Sequence, residues 1–332
     1  MSRGFQARRL VLLLPALLML LSARPVAAAE RKQPGPTSTL IAKVEEHHLL
    51  KARQGAAAVA YGDNIYVFDG NSTSGAITDV ERFNPRTHQV ERLYDRFLPR
   101  RYHGAIEFEG KVYLFGGQGY GLPGQPLEKA VEIYDIAANT VSRGADMPEG
   151  RSYMGVARIG TRVYLIGGSK IDRSRGGIVQ TNETLIYDLR ANTWSKGKPM
   201  GSPREASATV VGNFIMVPAG FRAPQKLDIV EFFNPAEDAW KTLPPLGKKI
   251  SAYSLAFMGS YLFLFGDYDD LDSVLAYDLR NRTTVKVSAG FHGARHAAVA
   301  VNGETIYVIG GNTQSDGDVL DLIQVFTPVF VP

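Results

Sequence analysis

Lys111-Val-Tyr-Leu-Phe-Gly-Gly117, Arg162-Val-Tyr-Leu-Ile-Gly-Gly168 and Thr305-Ile-Tyr-Val-Ile-Gly-Gly311 are three copies of one phrase. Looser copies end at Gly70, Gly220 and Asp267, so the last residues of the six stand 47, 51, 52, 47 and 44 positions apart. Each run is apolar at consecutive positions and rich in β-branched and aromatic residues, as expected of a strand buried on both faces. The glycine pair allows positive φ and lets large side chains pack against bare backbone.

A second phrase follows each copy: Phe83-Asn84-Pro85, Tyr134-Asp135, Tyr187-Asp188, Phe233-Asn234-Pro235, Tyr277-Asp278 and Phe326-Thr327-Pro328. Asp or Asn after the aromatic can accept from its own backbone and start a tight turn. Seven residues past the aromatic stand Val90, Val141, Trp194 and Trp240, with Thr284 in the fifth copy. The two tryptophans are expected in the core. Repetition at this period is the mark of a repeat architecture rather than of a single irregular domain.

The paired phrases resemble the kelch repeat over essentially all of residues 39–332. The resemblance implies an all-β, six-bladed kelch β-propeller with four-stranded antiparallel blades. Leu40 to Val44 precedes Arg53 much as Gln89 to Leu93 precedes Arg101, and only six residues follow Phe326. The N-terminal strand is therefore expected to complete the last blade and close the ring.

Ahead of that domain, Arg3, Arg8 and Arg9 lead into an apolar run of 12 residues, Leu10 to Leu21, and then into Ala27-Ala28-Ala29. Residues 1–29 read as a secretory signal peptide too short to span a membrane, and 30–38 as a flexible lead-in. A secreted or periplasmic location is expected. The signal holds four of the 37 basic residues, which leaves 33 against 33 acidic ones. That balance gives no reason to expect nucleic acid as a partner. The chain has no Cys, which removes disulfides, thiol nucleophiles and a lipoprotein anchor.

Function is expected on the face carrying the loops after each glycine pair, because loops on a rigid scaffold carry recognition. The longest are Gln118 to Lys129 and Ser169 to Glu183, which places the site near the second and third blades. A basic residue stands at the mouth of each inner strand: Arg53, Arg101, Arg151, Arg204, Lys249 and Arg295. Arginine forks suit carboxylates and phosphates. With Tyr102, His103, Tyr153, Glu205, Tyr253 and His296 nearby, they form a candidate ligand face for an acidic peptide or sugar. The alternative is that these arginines, common in the repeat, only tie loops together.

The expected function is a monomeric module binding a protein or glycan, with no cofactor and no metal. His-Glu-x-x-His, Gly-x-Ser-x-Gly and phosphate-cradling glycine motifs are absent, so no catalytic residue is assigned. Among families similar in fold, galactose oxidase-type enzymes need a Cys-crosslinked Tyr that a Cys-free chain cannot form. Sialic acid mutarotases suggest a second reading as a carbohydrate-active enzyme, with Arg151, Arg204 and Glu205 in the working roles. Glu45-Glu46-His47-His48 reads as an exposed extended segment, and Asp267 to Asp272 as a counter-charge to Lys248 and Lys249.

Overall fold

The computed structural model describes residues 39–119, 127–172, 174, 176–313 and 318–329; the expected signal segment 1–29 and lead-in 30–38 lie outside them. All helix or strand elements among the described residues are strands. The first sheet takes Ala57–Tyr61, Asn64–Phe68, Val80–Asn84 and Gln89–Arg92 in that order. The second takes Gly104–Phe108, Lys111–Phe115, Val131–Asp135 and Thr140–Arg143, and the third Gly155–Ile159, Arg162–Ile166, Thr184–Asp188 and Thr193–Gly197. The fourth is Thr209–Val211, Phe214–Arg222, Gln225–Asn234 and Ala239–Leu243, and the fifth Ser254–Met258, Tyr261–Phe265, Val274–Asp278 and Thr283–Ser288.

The sixth sheet has three strands of its own, Ala298–Asn302, Thr305–Ile309 and Leu322–Val329. Its outer position is taken by Thr39–His48, antiparallel to Leu322–Val329 from Ile41 opposite Val329 to His48 opposite Leu322. The first residues of that strand also run parallel to Thr283–Ser288 of the fifth sheet.

The strands of the glycine phrase are second in every sheet, and their successive residues serve two different cores. Tyr113 and Phe115 pack with Val163 and Leu165 of the next sheet. Val112 and Leu114 pack with Tyr66 and Phe68 of the preceding one. Because side chains alternate across a strand, a strand between two neighbouring sheets must be apolar at every position. Each such large side chain, fully buried, is worth about 1.5–3 kcal/mol. The same sharing joins Tyr164 to Ile215, Met216 to Leu262, Phe263 to Ile306, and Tyr307 to Ile65.

The glycine pair and the second phrase act as their chemistry requires. Gly116 has φ 62°, and a Cβ there would sit 2.3 Å from the Arg151 carbonyl oxygen, so the following segment could not approach. Asn84 Oδ1 accepts from the Arg86 and Thr87 amides at 2.9 and 3.1 Å. Asp188 accepts from Arg190 and Ala191 at 3.0 and 2.9 Å. Trp194 and Trp240 pack against the core and donate from Nε1 to the carbonyls of Ala145 and Lys198, each at 2.9 Å.

Candidate functional site: the mouths of the inner strands

Each inner strand is entered through a short segment whose first residue is held by the preceding repeat. The amides of Gly70, Gly117, Gly168, Gly220 and Gly311 donate to the carbonyls of Arg100, Arg151, Arg204, Ile250 and Arg53. At the corresponding point of the sixth mouth, the Ala294 carbonyl lies against Gly266. The third residues of these mouths link to one another. His296 donates to Ala252, Gly55 to His296, Tyr102 to Gly55, Tyr153 to Tyr102 and Ala206 to Tyr153, over 2.7–3.1 Å.

This register corrects the expected cationic face. The first-position arginines are Arg53, Arg100, Arg151 and Arg204, each with less than 2% exposure. Arg53 pairs with Asp79 at 3.0 Å and with Glu81, and donates to the Asp69 carbonyl. Arg100 pairs with Glu132 at 2.6 Å and donates to Gly116 at 3.0 Å. Arg151 pairs with Glu149 and with Glu183 at 3.0 Å, and Arg204 with Glu231 at 2.5 Å. Burying a guanidinium is tolerable only with such compensation. These side chains tie each mouth to its own sheet, so Arg53, Arg151 and Arg204 are spent inside the fold and do not line a ligand face.

Arg101 and Lys249 are not among the residues that line the cavity described below. Arg101 is one residue past the buried position and donates to Gln118 at 3.2 Å and Asn71 at 3.4 Å. Lys249 is exposed, and the buried first position of the fifth mouth belongs to Ile250. The acids that hold Arg53, Arg100 and Arg204 are Glu81, Glu132 and Glu231. They stand two residues before the aromatic of the second phrase, where the fifth sheet carries Leu275 beside its Ile250. The third repeat departs from this pattern: it has Leu185 at that position, and Arg151 is held by Glu149 and Glu183 instead.

Segments from all six mouths line one cavity of about 720 Å³. It gathers seven of the expected residues, Tyr102, His103, Tyr153, Glu205, Tyr253, Arg295 and His296, and adds Phe221, Lys226 and Tyr268. Phe221 and Lys226 come from the long hairpin of the fourth sheet, and Tyr268 from the loop of the fifth. The expected placement beside the second and third sheets is therefore shifted: neither Gln118 to Lys129 nor Ser169 to Glu183 supplies a described lining residue, and 120–126 lie outside the described residues.

The lining groups differ sharply in how they are satisfied. Arg295 is 4% exposed and donates to the Tyr268 carbonyl at 3.2 Å, with its guanidinium 4.1 Å from the Tyr268 ring centre. Its Nε has no partner, and no carboxylate among the described residues pairs with it. Glu205 accepts from the Ser169 hydroxyl at 2.6 Å. Burial pushes its carboxyl up, while the Ser169 and Gln180 hydrogen bonds pull it back.

Tyr102 stacks on Tyr153 with centres 4.1 Å apart, and His296 meets the Tyr102 ring edge-on at 5.0 Å. His296 Nδ1 donates to Asn312 at 3.2 Å; burial pushes its pKa down to about 4 and keeps it neutral. Tyr253 spends its hydroxyl on the Pro218 carbonyl. His103 is buried with both ring nitrogens unpartnered, 4.0 Å from Asp69, and burial lowers its pKa as it raises that of Asp69.

Two peripheral expectations are now placed. Lys248 pairs with Asp270 at 2.6 Å, and Lys226 with Asp267 at 2.7 Å and Asp269 at 2.8 Å. The mutarotase-like assignment loses its arginines, because Arg151 and Arg204 are committed to Glu183 and Glu231.

Repeated four-stranded antiparallel sheets, sharing cores face to face around a common cavity, define a β-propeller. Residues 55–267 match the model of the KLHDC2/KLHL20/DRC7 kelch-repeats domain. The chain belongs to the kelch-repeat family. It is 23% identical over 309 residues to beta-scruin of Limulus polyphemus, covering 84% of this chain and 33% of that protein. It is 29% identical over 218 residues to kelch-like protein 25 of Xenopus tropicalis, covering 61% and 35%. With kelch repeat-containing protein kel-10 of Caenorhabditis elegans the identity is 26% over 222 residues, covering 64% and 35%. The chain spans about a third of the length of these curated relatives.

Proposed function

We propose that this protein is a protein-binding module that receives its partner in the cavity at the strand mouths. The observation that carries the reading is Arg295. Four other arginines at the mouths are neutralised by acids of their own sheets, whereas Arg295 faces the cavity with none among the described residues. A carboxylate brought by a partner would complete it. Around it, Tyr102, Tyr153, Tyr268 and Phe221 offer the large rigid aromatic surfaces typical of binding hot spots.

The test is affinity capture with three forms of the protein. A partner bound by the wild type should be lost with Tyr268→Ala and retained with Glu109→Ala, since Glu109 lies on the hairpin at the opposite end of the inner strands. A partner equally retained by Tyr268→Ala would overturn the assignment to this cavity.

The reading includes a closed ring of six blades. Its support is the chain of shared cores, which returns from Tyr307 and Ile309 to Ile65 and Val67, together with the pairing of Thr39–His48 on the last sheet. Deleting residues 39–48 should then lower the melting temperature sharply; an unchanged value would remove closure from the reading. Export, implied by the signal-like residues 1–29, is checked by fractionating cells that express the full chain.

A further inference from the structure

The cavity holds a second uncompensated charge, on the wall away from the sixth mouth. Glu205 occupies the second position of the fourth mouth, bridged through its backbone to Phe221, and adds to the upward push that burial and Tyr102 give the Tyr153 phenol. Its contacts are neutral: the Ser169 hydroxyl at 2.6 Å and the Gln180 amide. No lysine, arginine or histidine among the described residues pairs with it. The lysine of the neighbouring hairpin, Lys226, is drawn instead to Asp267 and Asp269.

Elsewhere at the mouths the chain supplies a cation for its buried acids, as at Glu81, Glu132 and Glu231. A desolvated carboxylate with only neutral donors is costly to keep. Here it stands on an open cavity beside the stacked pair Tyr102 and Tyr153. A carboxylate flanked by aromatic rings suits an alkylammonium or guanidinium, which gains both an ion pair and contact with the ring π systems.

We propose that Glu205 is the receptor for a basic side chain of the protein partner, a lysine or arginine entering against Tyr153. This rests on the binding-module reading and adds the chemistry of one anchor residue. Arg295 and Glu205 then set two opposite charges across one cavity, so a partner segment would have to present an acid and a base in fixed order. Such an arrangement gives specificity, because a reversed segment meets like charges at both ends.

The experiment is selection of a random displayed-peptide library on the protein, followed by titration of the recovered peptides. Recovered sequences are expected to share a lysine or arginine. Their affinity should fall roughly tenfold or more with Glu205→Gln, the scale of one lost charge-assisted contact. Thermal unfolding of Glu205→Gln should show a midpoint equal to or above wild type, since glutamine keeps the Ser169 bond without the buried charge; weaker binding in an undamaged fold separates recognition from a structural role. Recovered peptides without a basic residue, or bound equally by Glu205→Gln, would overturn this inference and leave the module reading standing. If no peptide is recovered at the cavity, the module reading fails and this one with it.

Discussion

The mouths of the first four sheets and the mouth of the sixth use arginine in opposite ways. Arg53, Arg100, Arg151 and Arg204 lie at the first position, where the chain turns inward between sheets, and each meets an acid of its own repeat. Arg295 lies one residue further on. The first position there is Ala294, and the equivalent of Glu81 is Gln324, which bonds the His292 backbone. A shift of one residue turns the side chain from the inter-sheet space to the cavity. A guanidinium in this fold is locked into the interior at the first position, whereas at the second position Arg101 is held by Gln118 and Asn71 and Arg295 reaches the cavity.

Breaking a first-position pair should have the largest effect. Arg204→Ala strands Glu231 in the interior and is expected to cost about 3–5 kcal/mol in chemical denaturation. Arg204→Ile combined with Glu231→Leu copies the Ile250 and Leu275 pair of the fifth sheet and should recover most of that loss. If the double variant were no better than the single one, the pairs would owe their role to geometry rather than to charge compensation.

A smaller effect tied to pH is expected at the cavity. His296 has a folded pKa of about 4 against an ordinary value of 6.5. The lowered pKa means that its contribution is complete above pH 6.5 and is lost as pH falls towards 4, by on the order of 3 kcal/mol. Comparing unfolding of the wild type and His296→Gln across that range should show the gap closing at acid pH. Parallel curves would mean that the imidazole stays solvated.

Arg295→Met should change stability by no more than about 1 kcal/mol, because no buried acid among the described residues is left behind. A loss matching that of Arg204→Ala would erase the contrast between the two kinds of mouth.

Asp69 gives an effect of opposite sign. It stands where four of the other five repeats have the first glycine and the fourth has Ala219, at φ 52°, with neither carboxyl oxygen hydrogen-bonded and Arg100 Nε 3.9 Å away. Its pKa is raised by burial, so its contribution is present below pH 3.8 and lost as pH rises through the raised value. Asp69→Asn should therefore be more stable than wild type at neutral pH, with the advantage shrinking on acidification. Equal stability at both pH values would show that Arg100 and His103 already compensate the charge.

Much of this architecture was legible in the residues. The doubly buried second strands followed from unbroken apolar runs such as Val112 to Phe115. The turns followed from Asn84, Asp135 and Asp188, and the core tryptophans from their fixed offset. These features depend on neighbours a few positions away, so local chemistry specifies them. Arg100 beside Arg101 shows where that ends: two identical side chains in succession point to opposite sides, and nothing local says which is inward. Ala294 beside Arg295 poses the same question. The answer lies in the hydrogen bonds that the preceding glycine pair makes to the mouth.

The sequence by itself determined the repeat, the strand pattern, the turns and the kelch resemblance, because burial and turn chemistry act over short distances. Only the tertiary structure decided which charges cancel. Glu205 and Arg295 are 90 residues apart and become parts of one cavity through the packing of intervening sheets. Their availability depends on which acids and bases fail to reach them, and that is a property of the assembled packing rather than of any segment.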